Sequence, residues 1–135
     1  IKVAAQAALG RRDGMELYGT DYDTPDGTAV RDYVHVSDLA EVHRQAVERE
    51  VVGAFNLGTG RGQSVREVID ACREVTGREI RVREADRRIG DPPVLVAASE
   101  KAAAALDWAP HFTDLKDSVK TAWDWHVAHP DGYGD

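Results

Sequence analysis

Residues 54–77 read AFNLGTGRGQSVREVIDACREVTG and contain the clearest structural signal in the chain. The apolar run Ala54–Leu57 leads into a glycine-rich turn and is predicted to be a strand. Ser64 and Glu67 have the spacing of a capping box, which starts a helix, and Gly77 is the expected stop. Apolar residues recur on one helix face at Val65, Val68, Ile69, Cys72 and Val75. The stretch therefore predicts strand, turn and helix in succession.

The same alternation continues on both sides of this unit. The predicted strands cover Met15–Tyr18, Val30–Val36, Ile80–Arg83 and Val94–Ala97. Helices are predicted at residues 1–11, 38–49 and 99–106. The second has Ser37 as its N-cap and an apolar stripe of Leu39, Val42, Ala46 and Val47. A last predicted helix starts at Thr113 or Asp114 and is followed by the tail 129–135. Helices that alternate with short strands indicate a mixed α/β fold.

Composition limits the classes of function. The 135 residues are 42% hydrophobic and 30% charged, which is ordinary for one globular domain. A net charge of −7 argues against nucleic acid and an anionic membrane as partners. A phosphorylated small ligand stays open, because two or three converging arginines can bind one. Cys72, the single cysteine, lies on an apolar helix face and is predicted to be a buried structural thiol.

The amino end of the sequence is unusual. The chain starts at Ile1 inside a helical pattern, and its one methionine is Met15, within a predicted strand. We expect a piece of a longer protein, with a processed mature chain as the alternative. No signal peptide is visible, so the cytoplasm is the expected location.

Gly58–Ser64 lies between a predicted strand and a helix, where a dinucleotide fingerprint would stand. That fingerprint needs glycine or alanine at its last position so that pyrophosphate can approach the helix. Gln63 occupies this position. A turn that requires glycine is the better interpretation, so no cofactor is expected to bind here.

Arginines offer a second candidate site. Arg31 heads a strand, and Arg87 and Arg88 precede Asp91 in a loop. Guanidinium groups suit phosphate oxygens, and a nearby carboxylate suits the hydroxyls of a ribose. Surface ion pairs are the alternative. The histidines do not have the spacing of metal ligands. His126 and His129 are predicted to lie at a helix end, where the helix dipole favours a cation. Trp123 is predicted to pack in the core, and Tyr18 either packs in the core or flanks a ligand ring.

Five motifs carry a resemblance to a known family. They are YGTDYDTPDGT at 18–28, VRDYVHV at 30–36, FNLGTG at 55–60, RRIGDP at 87–92 and HPDGY at 129–133. Together they are similar to UDP-glucose (UDP-galactose) 4-epimerases of the extended short-chain dehydrogenase/reductase family. The resemblance covers residues 1–135 and implies the carboxyl-terminal, substrate-binding part of that fold, without most of the Rossmann domain.

The resemblance implies a UDP-sugar as ligand. Arg31 and Arg88 look like the arginines that hold the diphosphate, and Asp91 looks like the residue that takes the ribose hydroxyls. The backbone around Glu16 and Tyr18 is similar to the segment that hydrogen-bonds the uracil.

Leu95 is near the position that abuts the sugar in the family. A fairly bulky residue there implies UDP-glucose and UDP-galactose rather than their N-acetylated forms.

The resemblance also implies what is missing. The family oxidises the sugar at C4 with bound NAD and returns hydride to the other face, using a Tyr-x-x-x-Lys pair. In this chain the tyrosines Tyr18, Tyr22 and Tyr33 are followed at that spacing by Tyr22, Asp26 and Ser37. No catalytic residue is therefore assigned, and we expect the chain to be inactive without an amino-terminal NAD domain.

Alternatives stay open within and outside the enzyme class. They are a stand-alone nucleotide-sugar-binding module, a part of a related dehydratase or decarboxylase, and a partly unfolded piece that exposes the stripes Leu39–Val47 and Val65–Val75. For the intact enzyme, the resemblance implies a homodimer.

Overall fold

The computed structural model describes residues 1–133, so Gly134 and Asp135 of the predicted tail lie outside the described residues. The helices are α1 Lys2–Ala8, α2 Val36–Glu48, α3 Val65–Thr76, α4 Glu100–Leu106 and α5 Leu115–Ala128. The strands are β1 Met15–Tyr18, β2 Val30–Asp32, β3 Gly62–Ser64, β4 Val82–Ala85 and β5 Val94–Leu95. The predicted mixed α/β class is confirmed.

The strands form two small sheets. In the first, β1 pairs with β4 in parallel, and Glu16 lies opposite Arg83. In the second, β2 lies between an antiparallel β3 and a parallel β5, and Arg31 lies opposite Leu95. The two sheets thus hold two of the predicted ligand segments, β1 and β2, in fixed registers.

Helix α3 is built as its sequence predicts. The Ser64 side chain accepts from the backbone N–H of Glu67, whose side chain accepts from the backbone N–H of Ser64. Gly77 ends the helix with φ +61°, a left-handed conformation that glycine adopts without strain. Both ends of α3 are therefore set by local chemistry.

The larger core lies between α1, α3 and α5. Its buried members are Ala4, Val68, Ala71, Cys72, Ile80 and Val119. Cys72 is 1% exposed, and burial raises the pKa of its thiol. A buried, protonated thiol is a poor nucleophile, so the prediction of a structural cysteine is confirmed. The apolar face of α3 is covered within the chain itself.

A second core joins α2 to α4. Its buried members are Val42, Ala102, Leu106 and Trp108. The indole N–H of Trp108 donates to the backbone oxygen of Gly58 at 2.8 Å, which ties this core to the segment Gly58–Ser64, hereafter the glycine loop. The predicted apolar stripe of α2 is only partly buried, because Val47 is 78% exposed.

Two predicted boundaries around α2 are wrong. Strand β2 ends at Asp32 rather than at Val36, and α2 begins at Val36. The N-cap is His35 rather than Ser37, since the His35 Nδ1 accepts from the backbone N–H of Ser37 at 3.1 Å. An imidazole nitrogen thus satisfies a helix donor that a hydroxyl was expected to satisfy.

The predicted strand Ala54–Leu57 is also wrong, because no neighbouring strand pairs with it among residues 1–133. A strand is defined by its ladder of hydrogen bonds, and an apolar run without a partner does not form one. Strand β3 forms further on, where a Cβ on Gly62 would lie 2.4 Å from Val30 Cγ1. Only glycine permits this close approach to β2.

Candidate functional site

Strand β1 provides the first wall of the candidate site. Glu16 and Tyr18 share one face of the strand because side chains alternate, and Leu17 is buried on the other. The Tyr18 hydroxyl donates to Glu16 Oε2. Arg83, opposite Glu16 on β4, places its Nη2 at 3.7 Å from Glu16 Oε1. Glu16 therefore contacts both an aromatic and a cationic neighbour.

A tight turn provides the second wall. The backbone N–H of Asp91 donates to the backbone oxygen of Arg88 at 3.2 Å, and Gly90 between them has φ +83°. A type II turn requires positive φ at this third position, which explains the glycine. The turn brings Arg88 and Asp91 to the same place, and the Arg88 guanidinium lies 3.9 Å from the Tyr18 ring centroid.

Strand β2 provides the third wall through Arg31. Its Nη2 donates to Asp91 Oδ1 at 3.0 Å, and its Nη1 donates to the backbone oxygen of Val30 at 2.7 Å. The Arg31 and Asp91 side chains are 21% and 35% exposed, so solvent still reaches the pair. This ion pair joins β2 to the turn.

The three walls enclose a cavity of about 490 Å³, within the range of small-molecule sites. Five of the six predicted ligand residues line it together: Glu16, Tyr18, Arg31, Arg88 and Asp91. Its lining holds four arginines and two carboxylates, a formal charge of +2. A chain of net charge −7 thus concentrates positive charge in this cavity, as an anionic ligand requires.

The sixth predicted residue, Leu95, is not in this lining. It lies opposite Arg31 in the β2–β5 register and is 59% exposed. The pairing brings its backbone beside that of Arg31, and its contact with a sugar stays a prediction.

Sequence reasoning missed three polar residues of the lining, namely Arg12, Tyr33 and Arg83. Arg83 lines the cavity because β4 pairs with β1 in a register that places Arg83 opposite Glu16. Strand register cannot be predicted from the sequence alone. Tyr33 directly follows β2, two positions after Arg31, a spacing that could have flagged it. Burial raises the pKa of the Tyr33 phenol, despite the nearby Arg31 charge, so it stays protonated at neutral pH.

Arg87, next to Arg88 in sequence, has a different role. Its Nε donates to Asp21 Oδ1 at 2.7 Å, and its guanidinium lies 4.4 Å from the Tyr22 ring centroid. The hydrogen bond raises the pKa of Arg87 and lowers that of Asp21. Arg87 therefore ties the loop 20–28 to the segment before the turn, and only Arg88 of the two lines the cavity.

The glycine loop is filled by a side chain of the protein. Asp32 Oδ1 accepts from the Thr59 N–H at 2.9 Å, and Asp32 Oδ2 accepts from the Gly60 N–H at 3.1 Å. A Cβ on Gly58 would lie 2.4 Å from Asp32 Oδ2. The donors that a dinucleotide pyrophosphate would need are engaged with a carboxylate. These residues do not fit NAD.

The carboxyl-terminal histidines lie in an aromatic group. The His129 ring stacks on Trp125 with centroids 5.0 Å apart, and its Nδ1 lies 3.1 Å from the Trp125 backbone oxygen. Burial first, then Lys2 and Arg11, lower the pKa of His126. This opposes the predicted role of His126 as a cation at the helix end. Trp123, predicted to be core, is only partly buried.

Across residues 1–133, no group of three or more His, Cys, Asp or Glu side chains is placed to hold a metal ion. None of the helices within that range combines the length and apolar character needed to cross a bilayer.

Comparison with known proteins gives a consistent result. Residues 1–121 match the family model described as GDP-mannose 4,6 dehydratase. The UDP-glucose 4-epimerase of Halalkalibacterium halodurans is 48% identical over 98% of this chain. A solved UDP-glucose 4-epimerase structure is 44% identical over 99% of the chain, with a TM-score of 0.92. The Bifidobacterium longum UDP-glucose 4-epimerase, solved with NAD+ and UDP, is 37% identical over 98% of the chain, with a TM-score of 0.88.

These matches cover only part of each relative. The chain spans 41% of the H. halodurans protein, 42% of the first solved structure and 40% of the B. longum structure. The likeness to UDP-glucose 4-epimerases expected from the motifs is confirmed, and so is the expectation that the chain corresponds to a part of such proteins.

Proposed function

Because the chain belongs to the family described as GDP-mannose 4,6 dehydratase, we propose that it is the UDP-sugar-binding part of an NAD-dependent UDP-glucose/UDP-galactose 4-epimerase. In this proposal residues 1–135 are the carboxyl-terminal domain. The observation that carries the proposal is the convergence of Arg31, Arg88 and Asp91 on one positively charged cavity beside β1.

The proposed ligand contacts follow from the chemistry of each wall. Arg31 and Arg88 reach the cavity from β2 and from the turn, and their planar guanidinium groups bind the diphosphate. Asp91 takes the ribose hydroxyls. The β1 backbone at Glu16–Tyr18 hydrogen-bonds the uracil. This contact is supported by the sheet topology, because within residues 1–133 β1 pairs with one strand only, β4, and its other edge has no strand partner.

Leu95 is proposed to limit the size of the sugar. Its place opposite Arg31 puts it one strand away from the proposed diphosphate site. A branched apolar side chain there leaves less room for an N-acetyl group than a small residue. The proposed substrates are therefore UDP-glucose and UDP-galactose.

The chain is proposed to be inactive by itself. A general base needs to lie within hydrogen-bond reach of the proton that it removes. Among the described residues, the cavity lining contains no lysine or histidine, its two carboxylates Glu16 and Asp91 are placed against arginines, and burial raises the pKa of the Tyr33 phenol. NAD would accept and return the hydride, and we assign both its binding and the proton transfer to an amino-terminal domain outside this chain. We further propose that the intact enzyme is a cytoplasmic homodimer of galactose metabolism, which rests on family likeness alone.

Titration calorimetry with UDP tests the proposal. Replacing Arg31 or Arg88 with alanine should raise the Kd for UDP by about 10- to 150-fold, since hydrogen bonds to charged groups contribute about 1.5–3 kcal/mol. Arg61→Ala removes the same charge from the exposed glycine loop and should leave the Kd unchanged. Equal weakening by all three variants, or no UDP binding at all, would refute the assignment.

A related nucleotide-sugar dehydratase is the second candidate, because the matching family model carries that description. GDP-mannose and UDP-galactose distinguish the two in the same calorimeter. Preference for UDP-galactose supports the epimerase, and preference for GDP-mannose supports the dehydratase. A turnover assay on the longer protein distinguishes the epimerase from a stand-alone binding module. The binding module predicts that the longer protein also binds UDP-galactose without converting it.

A further inference from the structure

Arg88 is held in the cavity in a different way from Arg31. Hydrogen bonds hold the Arg31 guanidinium, one to Asp91 Oδ1 at 3.0 Å and one to the backbone oxygen of Val30 at 2.7 Å. Arg88 is exposed, and among residues 1–133 its guanidinium makes neither a hydrogen bond nor an ion pair. It lies over the Tyr18 ring instead, with Cζ 3.9 Å from the ring centroid. The ring thus contacts the side chain while its N–H donors stay available to a ligand.

The Tyr18 ring is itself fixed by its neighbours. Strand β1 pairs with β4 as far as Tyr18, which lies opposite Ala85. The Tyr18 hydroxyl donates to Glu16 Oε2, and Arg83 Nη2 lies 3.7 Å from the other oxygen of that carboxylate. The side chain is therefore held at its backbone end and at its hydroxyl end, and its face gives Arg88 a fixed surface.

Gly19 allows the segment with the two arginines to approach the end of β1. A Cβ on Gly19 would lie 2.9 Å from Arg87 Cγ and 2.5 Å from Tyr22 Cε2. Arg87 lies over the Tyr22 ring, so two consecutive arginines contact the two tyrosines that flank this glycine in the sequence. The contact of Arg88 with Tyr18 therefore belongs to a packed arrangement and is not an isolated surface contact.

We propose that the Tyr18 side chain is a positioning residue, which holds the Arg88 guanidinium where the diphosphate of the ligand needs it. The inference rests on the proposed function, which assigns Arg88 to the diphosphate. An exposed arginine samples many rotamers, and binding has to restrict them at a cost in entropy. A cation–π contact restricts them before the ligand arrives, because the ring face attracts positive charge without using the N–H donors. The ligand then meets an arginine that is already in place, which strengthens binding.

Titration with UDP, followed by calorimetry and by amide nitrogen–proton NMR, tests the proposal on two variants of Tyr18. Tyr18→Leu removes the ring and keeps an apolar side chain. It should raise the Kd for UDP about two- to fivefold, the factor that corresponds to a cation–π contact at an exposed site. Tyr18→Phe keeps the ring face and should recover most of that loss. Unchanged or tighter binding by Tyr18→Leu, or equal weakening by both variants, overturns the proposal.

A double-mutant cycle separates the positioning of Arg88 from a purely structural role of Tyr18 in β1. In the Arg88→Ala background, Tyr18→Leu should have no further effect on the Kd, because no guanidinium is left to position. The NMR titration measures the weak binding expected of that background. The same weakening by Tyr18→Leu in both backgrounds would mean that the ring acts on the strand, and the proposal would be wrong.

Phe55→Leu is the matched control, because it removes another ring that contacts a cation, Lys101 at 4.6 Å, outside the cavity lining. It should leave the Kd for UDP unchanged, and weakening equal to that of Tyr18→Leu contradicts the inference. A thermal melt of every variant checks folding, and Tyr18→Met repeats the test if leucine disturbs the strand. UDP binding by the wild type without coupling between Tyr18 and Arg88 refutes this inference alone, whereas a wild-type chain that does not bind UDP refutes the proposed function as well.

Discussion

Gly90→Ala is expected to weaken UDP binding although glycine 90 has no side chain to contact a ligand. Gly90 has φ +83° in the turn that holds Arg88 and Asp91 together. A Cβ at this position would meet no atom within 4 Å, so the substitution adds backbone strain and no clash. An alanine in the left-handed region costs about 1–2 kcal/mol.

The free turn of this variant relaxes to conformations that separate the two side chains, and a bound nucleotide has to restore it. The Kd for UDP should therefore rise by about 5- to 30-fold, the equivalent of about 1–2 kcal/mol. The melting temperature should change little, because the adjacent Ile89 is fully exposed and the turn lies outside both cores.

Gly77→Ala provides a matched control for this prediction. Gly77 has φ +61° and no atom within 4 Å of a Cβ, so its backbone strain is similar. Val65, at the other end of α3, lines the cavity. Gly77 lies about 18 Å from it along the helix, given a rise of about 1.5 Å per residue. This variant should lower the melting temperature and leave the Kd for UDP unchanged. Unchanged binding by Gly90→Ala, or equal weakening by both variants, would refute the reasoning.

Three further predictions concern stability and specificity. Asp26→Ala should destabilise the fold by about 2 kcal/mol at neutral pH. Burial acts to raise the pKa of Asp26, but hydrogen bonds from Ser64 and Thr28 outweigh it and lower that pKa in the folded state. The carboxylate therefore stabilises the fold above its ordinary pKa of 3.8, and acid denaturation of both proteins should show the difference shrinking below that pH. Asp38→Ala should lower the free energy of unfolding by about 2–4 kcal/mol in chemical denaturation, since it removes the acceptor of two backbone N–H groups, those of residues 111 and 112. Asp38→Asn should lower it less, because one acceptor oxygen remains. Leu95→Ala in the intact enzyme should raise turnover of UDP-N-acetylglucosamine relative to UDP-glucose, and an unchanged ratio would contradict the role proposed for Leu95.

Local signals in the sequence were sufficient for α3. Ser64 and Glu67 act within one helical turn, and Gly77 acts at its own φ, so no distant contact is needed to interpret them. The predictions for α3, which depend on chemistry within a few residues, were therefore confirmed, whereas the local prediction of Ser37 as the N-cap of α2 was wrong.

Features set by distant residues were not predictable in the same way. The contact of Arg31 with Asp91 joins residues 60 positions apart, and the entry of Arg83 into the cavity depends on strand register. Ala54–Leu57 has the composition of a strand, but strand formation depends on a neighbour that the described chain does not supply. Composition alone does not decide whether an apolar run finds its partner.

The central claim is that the UDP-binding site is the cavity between β1, β2 and the turn, and not the glycine loop. Amide nitrogen–proton NMR of the chain, titrated with UDP, tests this most directly. We predict that the largest shifts fall on residues 16–18, on Arg31 and on residues 88–91, with Thr59 and Gly60 unchanged. Shifts concentrated at Gly58–Ser64, or a spectrum unaffected by UDP, would contradict the claim.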